Sequence, residues 1–510
     1  MFAKVKSYGV FGMDSFAVDV EVDISTGMPK FEVVGLPDAA VKESRERVRA
    51  SIKNCALTFP SARITVNIAP ADIKKEGSVY DLPIFIAILA ATGQIAPNIN
   101  NYAFIGELSL NGEIRGCTGV LPMVLKAREC KTDSVFVPYD NMAEASVVNG
   151  IDVFPVKNIF DVIKHINGEK VIEPCYNKVE KQKRTYDSLD FEDVKGQIFA
   201  KRALEIAAAG GHNCLLIGPP GTGKSMLSKR LPSILPEMTF EEQLETTKIY
   251  SIAGELPSDT RLITERPFRS PHHTISPQGL AGGGHIPRPG EVSLAHNGVL
   301  FMDEFPEFDR RSKESLRQPL EDGKITIART VGTVSYPSDL MVVAAMNPCP
   351  CGFFGHPTRQ CTCTAAARKR YMDRISGPIL DRIDLHVEVE AVNFDQLSSK
   401  RKEETSAEIR TRVEKARAIQ RKRFEGTGIT CNAKMSPKMT KDYCLLTKEA
   451  NDLLKAAFEK LDLSARAYDK ILRISRTIAD LEGSENVEVN HVAEAVQYRS
   501  LDRKYWRNEE

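Results

Sequence analysis

The sequence predicts an α/β chain in three parts: an α+β region over 1–167, an α/β core over 190–395 and a helical region over 396–510. Three observations carry this. In the first part, short β-rich runs alternate with helical segments. In the second, apolar strands alternate with helices in the manner of a parallel sheet. In the third, helical period runs throughout, with Gly or Pro mainly at breaks. A polar stretch over 168–189 separates the first two parts and reads as a charged linker.

Composition narrows the class before any motif does. With 42% hydrophobic and 27% charged residues the chain is an ordinary globular one. Its net charge of +1 gives no whole-chain signature for nucleic acid, so any basic surface must be local. The apolar stretch Leu82–Ala91 contains Pro83 and is too short to span a bilayer. The N-terminal residues have no signal-peptide core, so the cytoplasm, with no membrane partner, is the expected location. Of the 11 cysteines, four lie close together, which in a reducing compartment raises a metal rather than a disulfide.

In the first part, strands are expected over Phe16–Ile24, Arg63–Ile68 and Val135–Val137. A helix is expected over Asp38–Asn54, with Ala40, Val41, Val48 and Ile52 apolar.

The core carries the chemistry. The apolar strand Asn213–Ile217 runs into Gly218-Pro219-Pro220-Gly221-Thr222-Gly223-Lys224-Ser225, and a helical pattern follows. Strand, glycine-rich loop and helix together make a phosphate-binding loop: backbone N–H groups turn inward and the helix dipole adds to them. Lys224 is expected to reach the β- and γ-phosphates, and Ser225 to place its hydroxyl on Mg²⁺. A second strand, Gly298–Met302, ends in Asp303 and Glu304. Asp303 suits a water-mediated Mg²⁺ ligand, and Glu304 the base that polarises the attacking water. A third strand, Leu340–Ala345, ends at Met346-Asn347-Pro348, where an amide can hold that water. The expected reaction is nucleotide hydrolysis.

Two stretches exceed a minimal nucleotide domain. Pro267–Pro289 is rich in Gly, Pro and His; His272, His273 and His285 have poor metal spacing and read as solvated loop residues. Gly323–Tyr336 alternates like a β-hairpin with its tip near Arg329 to Gly332, and Lys324 and Arg329 can meet phosphates. An ordinary solvated hairpin is the other reading.

Cys349, Cys351, Cys361 and Cys363 form two C-x-C pairs around a Gly- and Pro-containing knuckle, which suits a closed structural Zn²⁺ site next to Asn347. His356 is an alternative ligand. Ser399–Phe424 holds ten Lys or Arg against four Glu. Ile409, Val413 and Ala416 mark its packed face and Ser406 its N-cap. The basic side chains read either as a solvated face or as a phosphate or inter-subunit surface.

The core resembles AAA+ ATPases of the magnesium-chelatase and helix-2-insert clade. Asp190–Gln197, with Val194 and Gly196, matches that group's adenine-side motif, and Pro267–Pro289 sits where its insert does. The resemblance implies that ATP is the nucleotide and that Asn347 is the first sensor. It places the arginine finger at Arg382, with Arg374 in reserve, and the second sensor at Arg466. A finger acting in trans implies a homo-oligomer, in that clade usually a hexameric ring. Gly35–Asp38, Lys75–Ser78 and Gly106–Gly112 resemble the Lon-protease-like domain, a fold shared with the second domain of ribosomal protein S5. Val79 stands at the nucleophile position, and Gly116 to Val124 holds no lysine, so an inactive peptidase fold is expected over a degraded Ser78–Lys126 dyad.

The order of parts is that of the YifB/ComM family. This resemblance implies a ring ATPase on single-stranded or branched DNA, with branch migration in natural transformation as the activity of ComM members. A chelatase-like remodeller of a protein client and a Lon-like protease are the rivals.

Overall fold

The computed structural model describes residues 1–176, 189–285, 287–330, 332–391, 398, 402–461, 463–499 and 501–506. Most of the charged linker (177–188), position 286 of the insert, position 331 at the hairpin tip and the start of the basic segment (399–401) lie outside the described residues. The chain forms two compact units.

The first unit comprises Met1–Lys181, Gln243–Ile263 and Ala328–Ser335. Its sheet has seven strands: β1 (Phe2–Phe11), β2 (Asp14–Ser25), β3 (Lys30–Val34), β4 (Arg63–Ala69), β5 (Tyr102–Phe104), β6 (Ser134–Pro138) and β7 (Asp152–Val156). They lie in the order β3-β4-β2-β1-β5-β6-β7. β2 pairs antiparallel with β1 and β4, and the other neighbours are parallel. Period-2 alternation places Val18, Val20, Val22 and Ile24 of β2 beside Ile64, Val66 and Ile68 of β4, all buried. Helix α1 (Ala39–Asn54) is capped by Asp38, whose carboxylate accepts from the Val41 N–H at 2.8 Å. The apolar stretch noted above is helix α2 (Asp81–Ala91), buried from Asp81 through Leu89. A buried carboxylate needs partners. Arg47 of α1 grips Asp81 with contacts of 2.6 and 3.0 Å, and the Leu108 N–H adds a third at 3.2 Å.

Two segments from the middle of the chain belong to this unit. The Ser251 hydroxyl meets the buried Glu144 carboxylate at 2.5 Å, and its carbonyl accepts from Gly119 N–H. At the hairpin tip, Phe11 and Val334 lie against glycines. A Cβ on Gly332 would come within 2.7 Å of the Phe11 ring, and one on Gly12 within 2.2 Å of Val334.

The second unit comprises Gln182–Glu242, Thr264–Ile327 and Tyr336–Glu510. Its sheet is fully parallel, built from β8 (Cys214–Ile217), β9 (Phe268–Arg269), β10 (Val299–Met302), β13 (Met341–Met346) and β14 (Leu385–Glu388), in the order β9-β10-β13-β8-β14. Strands β11 (Lys324–Arg329) and β12 (Gly332–Pro337) form the expected hairpin. Both sheet faces are covered: Leu216, Phe301 and Val343 enter one apolar cluster, and Leu215, Leu300 and Val342 the other.

Helix α3 (Lys224–Ile234) follows the phosphate loop, and α4 (Phe240–Ala253) comes next. Helix α5 (Ala365–Met372) follows the cysteines; α6 (Ser406–Arg423) and α7 (Ala465–Glu482) belong to the C-terminal helical part. One expectation is corrected: the N-cap of α6 is Thr405, not Ser406. The Thr405 side chain accepts from Glu408 N–H, and the Glu408 carboxylate accepts from Thr405 N–H at 2.9 Å, a reciprocal capping box. Ser406 is thereby freed to accept from Phe191 N–H at 2.9 Å. Ile409, Val413 and Ala416 are buried as the period predicts.

Candidate functional site

Parallel strands end together, so β8, β10 and β13 bring three distant sequence motifs to one edge. At the end of β8 the loop turns tightly. A Cβ on Gly218 would fall 2.2 Å from Val389 O, and Gly223 has φ +88°, which opens the helix with its N–H groups exposed. Lys224 is largely buried, with Nζ 2.7 Å from Gly218 O, 2.8 Å from Pro219 O and 3.2 Å from Asn347 Oδ1. Burial lowers its ammonium to about 8, against the opposing pull of Asp303. The Ser225 hydroxyl donates to Asp303 Oδ2 at 2.6 Å. One hydroxyl and one carboxylate at this spacing are a donor set suited to Mg²⁺ beside a phosphate chain. Glu304 has φ +51°, uncommon for a non-glycine residue, and its N–H bonds Asp303 Oδ1 at 2.9 Å.

The adenine-side motif joins the loop through a residue the sequence did not single out. Gln197 Nε2 donates to Thr222 O at 3.2 Å and to Glu390 O at 2.6 Å. Val194 is buried; Gly196 N–H bonds Glu403, which also pairs with Lys201 at 2.7 Å. Thr222 closes the turn on Pro219 O, 3.0 Å away.

The three arginines are placed differently. Arg382 is engaged by Glu321 and by Pro378 O, with a side chain only 10% exposed. Arg466 is exposed and lies 3.3 Å from Asp381. Arg374 bonds Glu307 at 2.5 Å and, with Arg370, lines a cavity of about 450 Å³ that Glu304, Asn347 and Tyr371 also line.

The four cysteine sulfurs all lie within 4.8 Å of one another, with pairs at 3.3, 3.6 and 3.7 Å. A tetrahedral site with Zn–S of about 2.3 Å requires sulfurs about 3.8 Å apart, so the donor set fits zinc. Burial pushes the Cys349 thiol up, while the Phe353 N–H pulls Cys351 down. His356 is not part of this cluster; its Nδ1 accepts from the N–H groups of Thr358 and Arg359 in a turn. The knot abuts the nucleotide loop, since a Cβ on Gly352 would meet Pro220 Cδ at 2.6 Å.

His273 is a part-exposed loop residue, as expected, and its Nδ1 lies 3.1 Å from Glu304 Oε2. Several basic side chains of α6 are used internally. Arg412 bonds Glu205 at 2.5 Å, Arg423 grips Asp480, and Arg417 caps Ala208 O. Lys415, Arg421 and Lys422 remain exposed. In the first unit the Ser78 hydroxyl is taken by Glu107 and the Lys126 ammonium by Glu129, so the structure gives the two residues separate partners.

The matches to known proteins agree with this architecture. The family described as "Magnesium chelatase, subunit ChlI" matches 190–397, "Subunit ChlI of Mg-chelatase" matches 20–141, and its C-terminal counterpart matches 403–499. The "Competence protein ComM" of Haemophilus influenzae is 43% identical over 509 residues, covering 98% of each chain. The chain belongs to the YifB/ComM family. YifB of Salmonella typhimurium is 41% identical over 98% of this chain and 97% of its own. Lon protease 2 of Bacillus subtilis is 27% identical over 179 residues, 33% of this chain and 30% of its own, in line with the Lon-like N-terminal fold. Like other members of the magnesium-chelatase group, this YifB/ComM chain is an AAA+ ATPase, for which ATP and Mg²⁺ are the implied ligands and an oligomer the implied assembly. Among the described residues no helix is long and apolar enough to cross a membrane.

Proposed function

We propose that the chain is an ATP-driven ring motor on single-stranded or branched DNA, acting in the cytoplasm as a branch-migration helicase in recombination or natural transformation. The observation that carries the motor is the convergence of Lys224, Ser225, Asp303 and Asn347 in one bonded cluster, with Glu304 beside it. The DNA assignment leans on the competence role in the name of the Haemophilus relative and on the exposed Lys324 and Arg329 of the hairpin.

In this reading Gly218 to Gly223 cradle the phosphates, and Val194 and Gly196 border the base. Lys224 exchanges its carbonyl contacts for phosphate oxygens. Ser225 and Asp303 hold Mg²⁺, which neutralises charge on the phosphates. Asn347 positions water, and Glu304 polarises it. Arg382, released from Glu321, reaches the neighbouring subunit's nucleotide, Arg466 reads the bound state from the lid, and Arg374 is the reserve finger. A hexamer is the assembly these roles call for. Zinc on Cys349, Cys351, Cys361 and Cys363 braces the loop after Asn347. The proposed domains are 1–167 (Lon-like, without peptidase activity), linker 168–189, ATPase 190–395 and helical lid 396–510.

A second reading, a remodeller of a protein client, is favoured by one observation: Gly332 of the hairpin lies against the Phe11 ring. ATPase rate with and without single-stranded and four-way-junction DNA, with Glu304→Gln as blank, separates the two. Stimulation by DNA that disappears in the variant is expected; robust hydrolysis indifferent to every DNA would overturn the DNA assignment.

A further inference from the structure

The chain leaving the helical part runs back along β14, the edge strand of the ATPase sheet. The His386 N–H of β14 donates to Tyr498 O at 2.9 Å, and Arg499 Nη1 donates to Ile383 O at 2.8 Å. Helix α8 (Leu501–Trp506) follows, and the Trp506 ring centroid lies 5.8 Å from that of His386. Tyr505 then makes two contacts. Its hydroxyl donates to Glu388 Oε1 at 3.0 Å, and its ring meets the Phe354 ring edge-on, with centroids 6.3 Å apart. Burial and the adjacent Glu388 carboxylate push the phenol up, which keeps its proton in place to donate.

Both contacts end on walls of the phosphate loop. Glu388 pairs with Ile217 of β8, the Val389 N–H donates to Ile217 O at 2.7 Å, and the Val389 carbonyl is the group against Gly218. Phe354 stands in the knuckle of the cysteine knot, two residues after Gly352, which abuts Pro220. The Phe354 ring also carries the Arg368 guanidinium 4.6 Å from its centroid, and Arg368 Nη1 donates to Cys363 O at 2.9 Å. One side chain therefore joins the two segments that touch the loop at Gly218 and at Pro220. Holding both limits the spread of the backbone N–H groups that converge on an anion, and a site ordered beforehand binds more tightly.

We propose that Tyr505 is a positioning residue for ATP binding: docked between Glu388 and Phe354, it holds the two walls of the phosphate loop at the spacing a triphosphate needs. This rests on the reading of Gly218 to Gly223 as the phosphate cradle, and on neither DNA nor zinc. By linkage, a docked Tyr505 that tightens ATP binding is itself held more tightly when ATP is bound, by the same factor. Trp506, the one tryptophan of the chain, sits beside it and reports that docking.

The test uses the full-length protein, titrated with a fluorescent non-hydrolysable ATP analogue. Tyr505→Phe keeps the ring and loses the hydroxyl; it is expected to raise Kd about three- to fivefold, up to the factor one net hydrogen bond represents. In a Glu388→Ala background the same change should add nothing further. In steady-state hydrolysis KM for ATP should rise while kcat at saturating ATP changes by less than about twofold. Acrylamide should quench Trp506 more readily in Tyr505→Phe than in wild type, and a non-fluorescent ATP analogue should bring the variant back toward the wild-type value. A merely structural tyrosine would lower the yield of folded protein and leave the Kd of the folded fraction where it was. An unchanged Kd, a lowered kcat with KM unchanged, or Trp506 quenching in the variant indifferent to the analogue would overturn the proposal. Lys224→Ala in the same titration keeps the two ideas apart: wild-type affinity there sinks the reading of the loop itself.

Discussion

Lys224 shows how a single residue is prepared for an anion. Its ammonium is satisfied by two loop carbonyls and Asn347, yet burial still holds it at about 8, below the range of a free lysine. Phosphate oxygens favour the charged form, so binding takes up a proton wherever the empty site has lost its own. The sign follows. Below the empty-site value the lysine is already charged and affinity is flat; above it, ATP binding weakens with rising pH, by up to about tenfold per unit until the lysine of the complex titrates in turn. Dissociation constants of a fluorescent ATP analogue measured from roughly pH 6.5 to 9.5 should therefore bend near 8. Lys224→Ala should bind weakly with no bend, and a flat wild-type profile over the whole range would show that this ammonium does not carry the phosphate interaction.

The cysteine knot is the element in which sequence and structure inform each other most. Spacing alone raised the metal, and the sulfur separations fit a tetrahedral thiolate site. We expect purified protein to carry about one zinc per chain, and Cys351→Ser to lose it. Because Gly352 abuts Pro220, zinc loss should also weaken ATP binding while leaving the first unit folded, a combination that zinc analysis and nucleotide titration read together. The capping box on α6 makes a smaller prediction: Thr405→Ala should destabilise the second unit by about 1 kcal/mol in denaturant unfolding. What was legible in advance shares one property. The phosphate loop, the acidic strand end, the hairpin and the buried face of α6 are local patterns, each complete within a dozen or so residues. What was not legible depends on chain segments meeting. His273 and Glu304 are brought together by the parallel neighbours β9 and β10; Gln197 bonds Thr222 only because α3 and the adenine-side turn share the loop. Nothing local in the hairpin announces that Gly332 lies against the Phe11 ring and Gly12 against Val334.

At the scale of the whole molecule, the two compact units do not follow the order of parts in the chain: pieces from the ATPase stretch, Gln243–Ile263 and Ala328–Ser335, count with the Lon-like unit. The Lon-like unit takes such pieces into its own packing, as the Ser251–Glu144 contact shows. The assembly question turns on Arg382. Within one chain it is folded back onto Glu321 and Pro378, with its side chain 10% exposed. In the proposed role of finger, Arg382 would leave Glu321 and act across a subunit boundary. Mixing tests that directly. Arg382→Ala keeps its own phosphate loop, and Lys224→Ala keeps its own arginine; each alone should be nearly inactive. Combined in one oligomer, the arginine of the second meets the nucleotide of the first, and ATPase activity should reappear at a fraction of wild type that rises with the mixing ratio toward a maximum near equal amounts. Mixed variants that stay as inactive as their separate sum, in oligomers shown by mass to contain both, would place the finger elsewhere, and the same experiment with Arg374→Ala would then decide whether the arginine beside Glu307 takes the role.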